Sequence, residues 1–206
     1  MVKIGSSLVA SSQGGLRIDR IHRLAQELSA LQAQNRQIVV VSSGAIVAGL
    51  SHLGIASYPT ELPLQQAAAA VGQSRLMRAY EMAFEENTNK IAQVLLTHQD
   101  LADRRRFLNA RHTLITLIQL GVIPIINEND TVAIDEIRFG DNDTLAGQVA
   151  HLVDADLLVI LSDVNGLYSQ DPHLNPSAEL IPLVSSITKD IEVVAGSSRT
   201  QASRGG

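Results

Sequence analysis

The chain has 206 residues, 45% of them hydrophobic and 18% charged, with a formal net charge of -5, six aromatic residues of the Phe and Tyr types, and no Trp or Cys. Its apolar content suffices for one large domain or a tight pair. The acidic balance and scarce rings exclude a nucleic-acid surface, which needs clustered Lys and Arg beside stacking aromatics, and the lack of cysteine excludes disulfides and thiolate metal sites.

Val2 to Ile4 reads as a short strand that breaks at Gly5-Ser6-Ser7. Leu16, Ile18, Ile21, Leu24, Ala25, Leu28 and Leu31 recur at three and four, the spacing of one helix face. The β-branched run Ile38-Val39-Val40-Val41 is typical of a parallel strand covered on both faces; it ends in Ser42-Ser43-Gly44, after which Ala45 to Leu53 is helical in pattern. An Ala-rich helix is expected over Leu64 to Glu86 and a strand over Ile91 to Leu96. The only basic run, Arg104-Arg105-Arg106, begins a helix that extends to residue 120, with Gly121 as its stop.

Val122 to Ile126 is the next strand, and it delivers Asn127-Glu128-Asn129-Asp130. A small hairpin is expected over Val132 to Ile137, then a second polar knot, Gly140-Asp141-Asn142-Asp143, opening a helix to Val153. Leu157 to Leu161 reads as a fifth buried strand, capped by Ser162-Asp163. Loop, a short strand at Ile181 to Val184 and a short helix at Ile187 to Val194 follow, and from Gly196 the composition turns to that of a disordered tail. The histidines include no i, i+4 pair of the helical zinc type, and no charged leader or membrane-length apolar stretch occurs, so a soluble cytoplasmic protein is expected.

Strands alternating with amphipathic helices predict a three-layer α/β/α sandwich on a mainly parallel sheet. In such sheets ligands bind beyond the carboxyl ends of the strands. Lys3-Gly5-Ser6, Ser42-Ser43-Gly44, Asn127 to Asp130 and Ser162-Asp163 all fall at that edge. Read singly they are ordinary turns and caps, and Ser43 could be a plain helix cap; read together they form one site.

Several chemistries lack their motif. There is no G-x-x-x-x-G-K-[ST], no G-x-G-x-x-G after a strand, no nucleophile-elbow frame around Ser43, and no Gly and Glu at the places a calcium loop at Asp141-Asn142-Asp143 would need. What remains is a lysine with Gly-Ser amides at one strand end and amides with carboxylates at others. Phosphoryl transfer uses that mixture: cations and N–H donors for the moving oxygens, acidic groups for a charged substrate.

Val2 to Ser7, Val41 to Ile46, Ala69-Ala70-Val71-Gly72-Gln73-Ser74-Arg75-Leu76, Phe107-Leu108-Asn109-Ala110-Arg111, Pro124 to Val132 and Gly140 to Asp143, as an ordered set, closely resemble the glutamate 5-kinases of the amino acid kinase family. The resemblance implies phosphorylation of the γ-carboxylate of L-glutamate by ATP with Mg2+, the first step of proline biosynthesis, usually under proline feedback and in a homo-oligomer. It implies Lys3 and Asp143 as catalytic residues, Asp143 orienting the lysines of the site. Ser43, Gly44, Asp130 and Asn142 would hold glutamate, with Asp130 suited to its ammonium, and Lys3, Gly5, Ser162 and Asp163 would hold the nucleotide. No metal ligand is assigned, and Asn109 and Arg111 match the family as structural residues. The family continues with Gly-Thr-Gly-Gly-Met and a second lysine, of which only Arg204-Gly205-Gly206 gives a hint. Residues 1–206 are therefore expected to form an amino acid kinase domain incomplete at the C-terminus, and open to the same at the N-terminus, without a PUA domain. Two alternatives stay open: a non-catalytic relative that binds glutamate or proline, and another kinase of the family acting on aspartate or acetylglutamate.

Overall fold

Alternating apolar runs and amphipathic segments fold as their periodicity dictates. The computed structural model describes residues 1–11, 15–133 and 142–195. In chain order the elements are β1 (Val2–Ile4), α1 (Ser6–Val9), β2 (Ala10–Ser11), β3 (Gly15–Leu16), α2 (Ile18–Ala33), β4 (Val40–Ser42), α3 (Ala45–Leu53) and α4 (Leu62–Glu85). They continue with β5 (Lys90–Leu96), α5 (His98–Ala102), α6 (Arg104–Gln119), β6 (Val122–Glu128), α7 (Asn142–Leu152), β7 (Val159–Leu161) and α8 (Lys189–Ala195).

Five strands form one sheet in the order β5-β6-β4-β1-β7, and every pairing in it is parallel. The pleat sorts side chains between two cores. On one face Ile4, Val40, Ile123 and Ile125 pack with Ile21, Ala25 and Leu28 of α2 and with Leu76, Tyr80 and Phe84 of α4. On the other, Val39, Val41 and Ile126 meet Leu114 of α6 and Leu145, Ala146, Val149 and Leu152 of α7. This is the expected three-layer sandwich. Because parallel neighbours all run one way, the carboxyl ends of β1, β4, β6 and β7 share one edge.

The helices α3 and α4 cross closely enough that their glycines are required by space. A Cβ on Gly49 would lie 1.8 Å from the Ala68 carbonyl oxygen, and one on Gly72 would lie 1.8 Å from that of Ala45. The glycine within the Ala-rich α4 is therefore a packing residue, seating α3 against the layer beneath it.

Three expectations are corrected. The strand expected over Leu157 to Leu161 is only Val159–Leu161, and it lies at the sheet edge with Val159 and Ile160 exposed rather than buried; an apolar run alone does not say whether a strand has one neighbour or two. At Ile181 to Val184 there is no strand, only a single antiparallel bridge between Tyr168 and Leu180 just before it. The short helix α5 went unread, although it opens with a capping box in which the Asp100 amide donates to Thr97 Oγ1 and the Thr97 amide to the Asp100 carboxylate. Of the expected hairpin, Val132 lies in a turn, Ala133 just after it, and residues 134–137 are outside the described residues, as are Gly140, Asp141 and the tail from Gly196.

Candidate active site

Lys3 sits in the middle of β1, opposite Val41 of β4 and Ile160 of β7. Its pleat neighbours Val2 and Ile4 turn to the α2–α4 face, so Lys3 turns to the other, where α7 starts. There its ammonium nitrogen lies 2.6 Å from Asp143 Oδ1. Lys3 is 1% exposed, and a cation that deep in a fold is retained only with an anionic partner. The first turn of α7 supplies one, where the helix dipole also favours a carboxylate.

Beside this pair lies a cluster of amides. Asn142, the first residue of α7, donates from Nδ2 to the Ser42 carbonyl (2.8 Å), to Ser43 Oγ (2.8 Å) and to Asn127 Oδ1 (3.0 Å). The same Asn127 oxygen accepts from the Glu128 amide, and Asn127 Nδ2 donates to Gln73 Oε1 of α4 at 2.9 Å. The ends of β4 and β6, the body of α4 and the N-terminus of α7 are thereby joined. Ser43 is not the cap of α3: Gly44 takes that place with φ 94°, and the Ser43 hydroxyl is engaged by Asn142 instead. A side chain on Gly44 would also crowd Val9, at 3.0 Å.

Beneath the cluster, Ser42 Oγ and the Tyr80 hydroxyl are 3.0 Å apart. Burial pushes the Tyr80 phenol up to about 12, the bond to Ser42 acting in the opposite sense. At the far end of α7, the Arg111 guanidinium donates to the Leu152 carbonyl and to the Asp154 carboxylate. Its hydrogen bond, followed by its charge, holds Asp154 below the usual carboxylate range. Arg111 thus fixes the opposite terminus of the helix that carries Asn142 and Asp143, a structural role.

The other expected residues stand around this centre. Asp130 lines a cavity of about 230 Å3 between α4, β5 and the loop after β6, together with Gln73, Gln93 and Glu128. A second cavity of about 290 Å3 lies across Glu128 and Asn129 from it and is lined by Thr97, Asp100, Arg106 and Val132. Gly5 gives its amide to the Leu161 carbonyl at 3.0 Å, so it ties β1 to β7 and brings Ser162 close, rather than offering that N–H to a ligand. Ser162 donates to Asp163 at 3.3 Å in the bend after β7. Lys3, Ser43, Asn142 and Asp143 therefore form a bonded core, Asp130 borders it in a cavity, and Gly5, Ser162 and Asp163 flank β1 on the other side. Asn127 belongs to the strand-end knot expected at this edge, whereas sequence reading missed Tyr80 and the bonding of Gln73 to Asn127, since an amide and a phenol on separate elements carry no shared spacing.

A buried ammonium steadied by one carboxylate, beside amides aimed across strand ends, is suited to an anion whose charge shifts during reaction. Among the described residues, no three His, Asp or Glu side chains converge as metal ligands.

The amino acid kinase family model matches residues 1–204. The chain is 55% identical to a protein of Geobacter metallireducens named glutamate 5-kinase and 52% identical to one of Pelobacter propionicus with the same name, each over all 206 residues of this chain. Those 206 residues make up 55% of either relative, so the chain spans about half the length of the curated relatives it matches. Among solved structures, isopentenyl phosphate kinase of T. acidophilum superimposes with TM-score 0.62 at 22% identity, covering 87% of this chain and 76% of that one. Aspartate kinase from Synechocystis does so with TM-score 0.55 at 20% identity, covering 87% and 31%. At such identities these two likenesses concern the fold.

Proposed function

The chain belongs to the amino acid kinase family, and from that membership we propose that its strand-end site transfers the γ-phosphoryl group of ATP to the γ-carboxylate of L-glutamate. The observation that carries this reading is the identity with glutamate 5-kinases along the whole chain, and the bonded core of Lys3, Asp143, Asn142 and Ser43 agrees with it. A glutamate carboxylate oxygen forms a bond to the γ-phosphorus while the bond to the bridging oxygen of ADP breaks, giving L-glutamyl 5-phosphate and ADP. The attacking carboxylate is already ionised, so no base is required.

The chain's part is placement and charge. The Lys3 ammonium meets the transferring phosphoryl oxygens, and Asp143, 2.6 Å from it, holds it there. Ser43, Gly44, Asn142 and Asp130 hold glutamate, Asp130 taking its ammonium, while the β1 and β7 ends at Gly5, Ser162 and Asp163 border the nucleotide. Mg2+, carried on the nucleotide phosphates, supplies neutralising charge. Residues 1–206 serve in this reading as a kinase domain, working in the cytoplasm at the first step of proline biosynthesis, as a homo-oligomer and with proline as feedback inhibitor.

The test is to incubate the chain with ATP, Mg2+ and hydroxylamine, which traps an acyl phosphate as its hydroxamate, in the presence of L-glutamate, L-aspartate or N-acetyl-L-glutamate. Hydroxamate from L-glutamate in preference to the others is expected. Preference for another acid, or no product, would overturn the proposal.

A further inference from the structure

The Ala69 to Leu76 motif of α4 has no assigned role beyond packing at Gly72, yet Gln73 from it reaches the site. Its Oε1 accepts from Asn127 Nδ2, whose own oxygen is held by the Glu128 amide and by Asn142. The polarity of this amide chain is fixed at both ends by backbone groups: the Glu128 N–H can only donate and the Ser42 carbonyl can only accept. Asn127 must therefore offer its amino group to Gln73, and Gln73 must answer with its carbonyl. The amino end of Gln73 is the part left for the cavity that Gln73 lines with Asp130 and Glu128.

That cavity is acidic, which suits the ammonium of an amino acid but opposes its carboxylate. A zwitterionic occupant needs a donor against the two carboxylates. Ser74 on the same wall has its hydroxyl committed to the Val71 carbonyl at 3.1 Å. We propose that Gln73 is a substrate-binding residue whose side-chain amino group donates to the α-carboxylate of the amino acid while Asp130 accepts from its α-ammonium. The inference rests on the reading of this site as one for L-glutamate and adds the residue that recognises the end of the molecule remote from the phosphorylated carboxyl.

The test compares L-glutamate with its α-carboxamide, L-isoglutamine, by calorimetry on the full chain and on Gln73→Glu. The glutamate side chain keeps an acceptor for Asn127 but has no proton to donate, and as a third carboxylate beside Glu128 and Asp130 it should lower the folding melt somewhat while the chain still folds. Gln73→Glu should weaken L-glutamate by about tenfold or more, as lost hydrogen bonding to an ionised group does. It should leave isoglutamine within about threefold, so that the preference for the free carboxylate collapses. Should Gln73→Glu fail to fold, Gln73→Met read with the same ligand pair is expected to show the same collapse. A variant that weakens both ligands equally, or neither, overturns the role of Gln73 alone. Failure of the original chain to bind L-glutamate at all overturns the reading of the site, and the inference with it.

Discussion

Gly72→Ala tests whether the packing of two helices holds the substrate side of the site in register. The added methyl would stand 1.8 Å from the Ala45 carbonyl oxygen and 2.6 Å from the Gly49 amide nitrogen, both backbone atoms of α3. Ordinary contact begins near 3.4 Å, so about 1.5 Å must be opened, and no flexible side-chain end is available to give way. Overpacking of this kind costs about 1–3 kcal/mol, and the rigid neighbours put this case at about 3. For a chain of this length that lowers the thermal midpoint by about 6–12 °C. The displaced helix begins at Gly44, so a retreat of about 1 Å would also stretch the 2.8 Å bond from Asn142 to Ser43 past hydrogen-bond range. Circular-dichroism melts and urea unfolding measure the first effect, and L-glutamate titration the second. Gly147→Ala is the matched control: it lies exposed on α7 with nothing within 4 Å of the added methyl, and should stabilise by up to about 1 kcal/mol through helix propensity. A Gly72→Ala chain within about 0.5 kcal/mol of the original would refute the steric reasoning.

Tyr80→Phe should cost about 1 kcal/mol, because the Ser42 hydroxyl loses a buried partner, and should remove the part of the 295 nm tyrosinate rise that appears near pH 12; a rise lost at pH 10 would contradict the burial of that phenol. Burial raises the Asp100 carboxyl, but the Thr97 hydroxyl and amide and the Arg106 guanidinium outweigh it, so its folded value lies below the ordinary one. A lowered carboxyl stabilises the fold above its unfolded value of about 3.9 and loses that contribution as pH falls through the folded value. Asp100→Asn should therefore cost about 1 kcal/mol at neutral pH by urea unfolding, the usual worth of a helix cap, with the difference shrinking below about pH 4; a pH-independent difference would contradict this.

What could be read from the sequence was whatever rests on local pattern. The β-branched runs at Ile38 to Val41 and Val122 to Ile126 and the helical spacing after Leu16 lead to the parallel sheet and its layers. The polar knots at Lys3 and Ser43 fall at one edge because parallel strands must end there, whereas Asn142 and Asp143, which open a helix, were expected at the site from the family resemblance; the structure brings the four together. The exposure of β7 was not legible, since Leu157 to Leu161 has the composition of a central strand and only topology gives it a single neighbour. Nor was the relay through Gln73 and Asn127, which depends on which end of each amide faces the next. The need for glycine at position 72 was not legible either, because it is set by the Ala45 carbonyl of a neighbouring helix.

The central claim is that the buried Lys3 ammonium, held by Asp143, stabilises a phosphoryl group on its way to L-glutamate. Its most direct test is the hydroxamate-forming rate of Lys3→Ala beside that of the original chain, with saturating L-glutamate and ATP and with both proteins shown to be folded. Loss of a charge that acts on the transition state lowers turnover by on the order of 10²-fold or more, and that is the result predicted; equal rates would contradict it.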